Sequence, residues 1–143
     1  MTNSVLCAVD ISNGDLDAQV LKQAAELAGH EGAQLDVVTV LPDYGESFVS
    51  SFFEPHHHEQ ALADAHEKLT HLCVSALGEE RNASIRHVVA TGTAYQEILK
   101  TAESAGSDLI VIGAHKPDFK DYLLGPNAAR VVRHSTVSVY VVR

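Results

Sequence analysis

The residues best suited to chemistry gather around two glycines in the last third of this 143-residue chain. Gly113-Ala114-His115-Lys116 follows an apolar run, and Gly125-Pro126-Asn127 comes eight residues later at the start of a helical pattern. A strand, a glycine turn and a helix start together suit an anion. Glycine lets the backbone approach closely, and a helix start presents N–H groups with a partial positive charge. Two such turns joined by a loop suit a polyphosphate better than a single anion, and Lys116 adds a full charge. The alternative reading is that Gly113 and Gly125 mark turns that need a positive φ or tight packing. A Walker-type G-x-x-x-x-G-K-[S/T] motif is absent.

Other chemistry-bearing residues give weaker patterns. Asp10 and Ser12 follow the first apolar run, where they either cap a helix or face a ligand. His56-His57-His58 invites a zinc reading with His66 and His71 downstream, but no two histidines stand at i, i+4, and a solvated helix start fits better. Arg130, Arg133 and His134 fit the last turn of a helix rather than a ligand site. Cys7 and Cys73 sit in apolar patterns and read as reduced, buried thiols of a cytosolic protein. The spacing yields no Ser-His-Asp or paired-carboxylate arrangement.

The elements that must position these residues alternate regularly. Five β-branched runs, including Val5–Val9, Leu35–Leu41 and Leu109–Ile112, are separated by helical stripes. The first stripe, Leu16, Val20, Ala24, Leu27 and Ala28, stops near Gly29. The second, Leu62, Ala65, Leu69, Leu72 and Ala76, is closed by Gly78. A strand at 85–89 with interrupted apolarity belongs near a sheet edge. Helices follow at about 93–105 and 126–134, and a last strand at 137–142. Apolar strands alternating with helices predict an α/β fold, one doubly wound domain over residues 1–143. Its five-stranded parallel sheet is flavodoxin-like or Rossmann-like. The natural order is 2-1-3-4-5 or a close variant, with 3-2-1-4-5 as the specific expectation. Such sheets bind ligands beyond the carboxyl ends of their strands. That directs attention to Val9, Asp10, Ile11 and Ser12, to Val40 and Leu41, to 90–93 and to 113–127. The irregular stretch 42–55 reads as a lid or a contact surface.

Charge and composition exclude some functions. The net charge of −9 argues against nucleic-acid binding. Residues 1–80 hold 14 acids against two lysines, whereas residues 81–143 hold eight basic residues against five acids, so the C-terminal half is kinder to an anionic ligand. No apolar run approaches the ~20 residues of a membrane span, and the start of the chain reads as a strand rather than a signal peptide. The expected place is the cytoplasm.

The segment from Asp118 through Gly125 and Asn127 to His134, with Val139-Tyr140-Val141-Val142-Arg143 at the end, is similar to the C-terminal signature of the universal stress proteins. Val9-Asp10-Ile11-Ser12 resembles that family's first strand and acidic turn, and the resemblance covers essentially the whole chain. It implies ATP or another adenine nucleotide, with or without Mg²⁺, on the pattern G-x-x-G, nine residues, G-[S/T]. Gly113 matches the first glycine and Gly125 the third. Lys116 stands where the second glycine would be, as in a subgroup with a basic residue there, and His115 lies between. Pro126 replaces the hydroxyl residue, and Asn127 offers a polar contact in its place. By the same resemblance Asp10 lies near the ribose and the metal-phosphate group, touching a metal indirectly through bound nucleotide. Val40 falls where backbone reads adenine.

The expectation is therefore an ATP-binding stress or regulatory protein whose hydrolysis, if any, is slow, since no convincing general base or arginine finger is visible. The alternative is a nucleotide-free homodimeric interaction module of the same fold, favoured by Lys116 and Pro126. A phosphorylated receiver switch would want an acid after the third strand, where Val89-Ala90-Thr91-Gly92 has none. The apolar last strand, Val137 to Val142, is expected to join two copies, since an exposed apolar edge needs cover.

Overall fold

The structure, a computed structural model, describes residues 2–41, 55–114 and 125–143. Strand β1 (Ser4–Ala8) leads through a 3-10 turn (Ile11–Asn13) into α1 (Gly14–Glu31), then β2 (Gln34–Leu41). After α2 (Pro55–Leu77) and the short α3 (Glu79–Ala83) come β3 (Arg86–Thr91), α4 (Ala94–Ala105), β4 (Leu109–Gly113), α5 (Pro126–His134) and β5 (Ser138–Val142). All neighbouring strands run parallel, in the order β3-β2-β1-β4-β5. This is the 3-2-1-4-5 arrangement rather than 2-1-3-4-5, and β3 is an edge, as its interrupted apolarity predicts.

Alternation along the strands divides the core in two. Val5, Cys7, Leu35, Val37 and Val111 pack with Leu21 and Ala24 of α1 and Leu69 and Cys73 of α2. Leu6, Ala8, Val38, Ile110 and Ile112 pack on the other face with Ile98 of α4 and Val131 of α5. Both thiols are free and buried, and burial pushes Cys73 up to about 11, so they are inert neutral core groups. No helix among the described residues is long and apolar enough to cross a membrane.

Two details of α1 differ from the sequence reading. The helix runs past Gly29 to Glu31, and Gly32 ends it at φ 62, with Ala33 N–H donating to Ala28 O at 2.8 Å. A left-handed C-terminal position favours glycine, whereas Gly29 sits in ordinary helix. The buried face is also rotated: Leu16 is 42 % exposed, while Leu21 is fully buried and Asp17 points toward the sheet side. The unforeseen α3 follows Gly78, whose φ of 91 turns the chain there.

A charge is buried at the opposite end of the sheet from the strand exits. Asp36, in register with Arg86, has no solvent exposure. Its Oδ1 accepts from Arg86 Nε at 3.0 Å and Gln34 Nε2 at 3.2 Å, while Oδ2 has no hydrogen-bond partner among the described residues. Removing the cation would strand this carboxylate, whereas replacing both partners with apolar groups would not. Arg86→Met should lower unfolding free energy by roughly 2–3 kcal/mol in urea, below the usual cost for a fully buried pair because the Arg86 side chain is 59 % exposed. Asp36→Val with Arg86→Met should regain most of that loss; equal losses in the single and double variants would contradict the account.

Candidate functional site

The carboxyl ends of the inner strands open into one cavity of about 570 Å³. Its location follows from topology: the strand order reverses between β1 and β4, so the connections leaving them diverge and leave a crevice. Val9, whose N–H donates to Val38 O at 2.9 Å, extends the pairing of β1 with β2 to the cavity floor. One wall is apolar, formed by Val38, Val40, Leu41, Ala94, Ile98 and Ile112. The other end is polar, with Asp10, Ser12, Asp17, Gly113, Gly125 and Asn127. The size and this division suit a ligand with a flat apolar part and a polar tail.

The two glycine turns are joined directly. Ala114 N–H donates to Val142 O at 2.7 Å, and Gly125 N–H donates to Ala114 O at 2.6 Å, so the start of α5 is tied to the exit of β4. Gly125 has φ −61 and Gly113 is not among the positive-φ glycines, so neither is needed for a left-handed turn. At Gly113 the need is space: a Cβ would lie 3.2 Å from Val20 Cγ2 and 3.8 Å from Asp17 Oδ1. Gly125 caps α5 without a side-chain bond, and Pro126 occupies the first helical turn, where its missing N–H costs little. The N–H groups of Asn127 and Ala128 fall in that first turn, where helices lack internal acceptors, and both residues line the cavity.

Asp10 anchors the β1 exit. Its Oδ1 accepts from Ser12 N–H at 2.9 Å and from Ser12 Oγ at 2.5 Å, and its own N–H donates to Asp17 Oδ2. The capping role of Asp10 with Ser12 is thus realised, and a second carboxylate joins it. The sequence pattern places Leu16 in the buried stripe and so hides Asp17 as a site residue. The signal lay in Asp17, Leu21, Ala24 and Ala28, a helix face carrying one acid among apolar residues. Burial, and then the neighbouring Asp10 charge, push Asp17 up to about 6 against the lowering effect of the Asp10 N–H.

Lys68 of α2, also absent from the sequence reading, is a cation on the cavity wall. Of the sequence-derived site residues, Val9, Asp10, Ile11, Ser12, Val40, Leu41, Gly113, Gly125, Pro126 and Asn127 surround this cavity. His115 and Lys116 lie outside the described residues, as do 118–124 of the C-terminal signature and the 42–54 part of the irregular stretch.

The histidines and arginines do other work. His87 Nε2 lies 2.6 Å from Asn82 Oδ1 and its ring meets His66 edge-on at 5.8 Å. Among the described residues no group of three or more His, Cys, Asp or Glu could hold a metal. Arg130 lies 5.3 Å from the centre of the Tyr95 ring, and His134 stacks on the same ring.

The raised Asp17 value carries a sign for stability. The fold favours the protonated form, so its contribution is fully present below the ordinary aspartate value of 3.8 and is lost as pH rises through about 6. Asp17→Asn keeps an acceptor for the Asp10 N–H and removes the charge. The variant should melt several degrees above the original protein at pH 8, with the gap closing toward pH 4 in scanning calorimetry. An unchanged or lower melting temperature at pH 8 would contradict the burial argument.

Comparison with known proteins gives the family and the fold. The family model described as Universal stress protein family matches residues 1–143. Universal stress protein G of Shigella flexneri is 28% identical over 149 residues, covering 100% of both chains. The solved structure of the MJ0577 protein of Methanocaldococcus jannaschii superimposes with a TM-score of 0.79 at 22% identity, over 99% of this chain and 96% of that one. A universal stress protein from Archaeoglobus fulgidus, solved in complex with dAMP, gives a TM-score of 0.67 at 22% identity over 100% and 98% of the two chains. With a match to the family model over its whole length, the chain belongs to the universal stress protein family.

Proposed function

We propose that this chain binds an adenine nucleotide, ATP in its full form, in the cavity at the strand exits and acts as a cytoplasmic regulatory protein of stress responses. The carrying observation is the cavity's division into an apolar wall from β2 and α4 and a polar end at the β4 and α5 glycines. The relative solved with dAMP supports an adenine ligand. In this reading adenine lies against Val40 and Leu41, the ribose near Asp10, and the phosphates between 113–116 and Gly125 to Asn127. A divalent ion such as Mg²⁺ would sit on the phosphates, with Asp10 reached only through them. The expected role is binding, with any hydrolysis slow.

Calorimetry should show saturable ATP binding, and mass spectrometry of freshly denatured protein should find adenine nucleotide. Gly125→Val should weaken ATP about tenfold or more by blocking close approach. Gly113→Ala is the gentler probe at β4, since a larger side chain there would strike Val20. Lys116→Ala should narrow the ATP-to-AMP affinity ratio at low salt. Unchanged ATP affinity in Gly125→Val, with its fold intact, would put the phosphates elsewhere.

A homodimer through β5 belongs to the same proposal. β5 is an edge strand paired on one side with β4, and its Tyr140 is 41 % exposed. Val139 and Val141 are partly buried against the α4 and α5 side, which leaves the strand edge for a second copy. Light scattering should give about twice the 15.4 kDa chain mass, and Tyr140→Lys, at the exposed position of the strand, should yield folded monomer. A dimer with no bound nucleotide would favour the second reading, an interaction module, for which Pro126 is the supporting residue because it lacks both N–H and side-chain donor.

A further inference from the structure

The polar end of the cavity carries a charge of the wrong sign for a phosphate. Asp17 sits in the first turns of α1, the place in such folds where a helix start faces the ligand across the β1–β4 reversal. One carboxylate oxygen accepts the Asp10 N–H, and the other lies 3.8 Å from the position of a Cβ on Gly113. The carboxylate therefore stands between the exits of the two strands and against the first glycine turn. We infer that Asp17 decides the charge of the ligand this cavity accepts: its ionised carboxylate opposes a phosphate, so an anionic nucleotide binds together with a proton on Asp17. This rests on the adenine-nucleotide reading above.

Among the described residues, the surrounding groups leave that role to Asp17. From the β1 side it meets Asp10, a like charge already engaged by Ser12, and the buried Cys7 thiol, which burial and then Asp17 itself push well up. From α2, Lys68 lines the same cavity but is exposed, where solvent weakens its pull. Asp64, Glu67 and His71 of α2 and Lys22 of α1 line an adjoining groove between those helices, which shares Ile11 and Lys68 with the cavity. Beyond β4, His115 and Lys116 lie outside the described residues. Burial and Asp10 already bring the Asp17 carboxyl up to about 6, so a further negative charge nearby draws a proton onto it near neutral pH.

The test uses adenosine and cyclic AMP with EDTA present, on the full chain and on Asp17→Asn, at pH 5.5 and pH 8. Cyclic AMP keeps one phosphodiester charge across this range, whereas phosphate monoesters titrate near pH 6. In calorimetry the original protein should bind cyclic AMP about tenfold more tightly at pH 5.5 than at pH 8, with adenosine unchanged. Asp17→Asn should bind cyclic AMP equally at both pH values and as tightly as the original protein does at pH 5.5. Independently of the variant, the NMR titration midpoint of the Asp17 carboxyl carbon should rise when the original protein is saturated with cyclic AMP. A pH dependence that persists in Asp17→Asn overturns the inference, as does an unshifted midpoint. Adenosine binding with pH-independent cyclic AMP affinity overturns this inference alone. No binding of either ligand at any pH overturns the adenine reading and this inference together.

Discussion

Strand β1 must be covered on both faces and paired on both edges, and the rest of the molecule is arranged to meet that demand. Val5, Leu6 and Cys7 are fully buried, so β1 cannot stand at an edge or leave either face to solvent. With right-handed crossovers, the chain can add β2 and β3 on one side only by placing α1 and α2 on one face. It must then cross to the other side for β4 and β5, which places α4 and α5 on the opposite face. The crossing divides the connections beyond β1 and β4, and the cavity is the space they leave. The site is a consequence of how a fully buried strand is covered.

That origin explains the composition of the walls. Residues whose side chains continue the core on the α4 and α5 face to the strand exits give the apolar part, as Val38, Val40, Ile98 and Ile112 do. Backbone groups at strand exits and helix starts give the polar part, since a chain that leaves a sheet loses its ladder partners there. Several are satisfied locally, by Asp17 for the Asp10 N–H and by Ala114 for the Gly125 N–H. Ser12 is held by Asp10 in the same way. Past Pro126, the first turn of α5 brings Asn127 and Ala128 to the cavity, and a helix start there is its most favourable ground for an anion. Gly113 brings α1 close enough that Asp17 adjoins the same ground, so close packing and ligand charge become one problem.

Much of the architecture was legible because its signals are periodic. The fully apolar Leu109–Ile112 marked an inner strand, and the interrupted 85–89 run marked an edge. Pro126 and His134 bounded α5 as its structure has them, since proline fits a first turn and basic residues suit a last one. The strand order was legible only as a choice, because crossovers of either length satisfy the same hydrophobic pattern. Gly29 and Leu16 misled for a related reason: a glycine or leucine in helical register says little about which way the helix is turned. That rotation, fixed by packing against β1 and β4, brings Asp17 beside Asp10 and produces a carboxylate pair that spacing alone did not reveal. Lys68 was invisible for the same reason, since only the docking of α2 carries it to the cavity.

The central claim is that an adenine nucleotide occupies the crevice at the strand exits, and amide mapping tests it most directly. In ¹H–¹⁵N spectra recorded during titration with ATP, the account predicts saturable shifts concentrated at Val9 to Ser12, Thr39 to Leu41, Gly113, Ala114, Gly125, Asn127 and Ala128. Amides at the opposite end of the sheet, such as Asp36 and Arg86, should stay in place. Shifts centred on the groove between α1 and α2, or no saturable shifts at the strand exits, would contradict it.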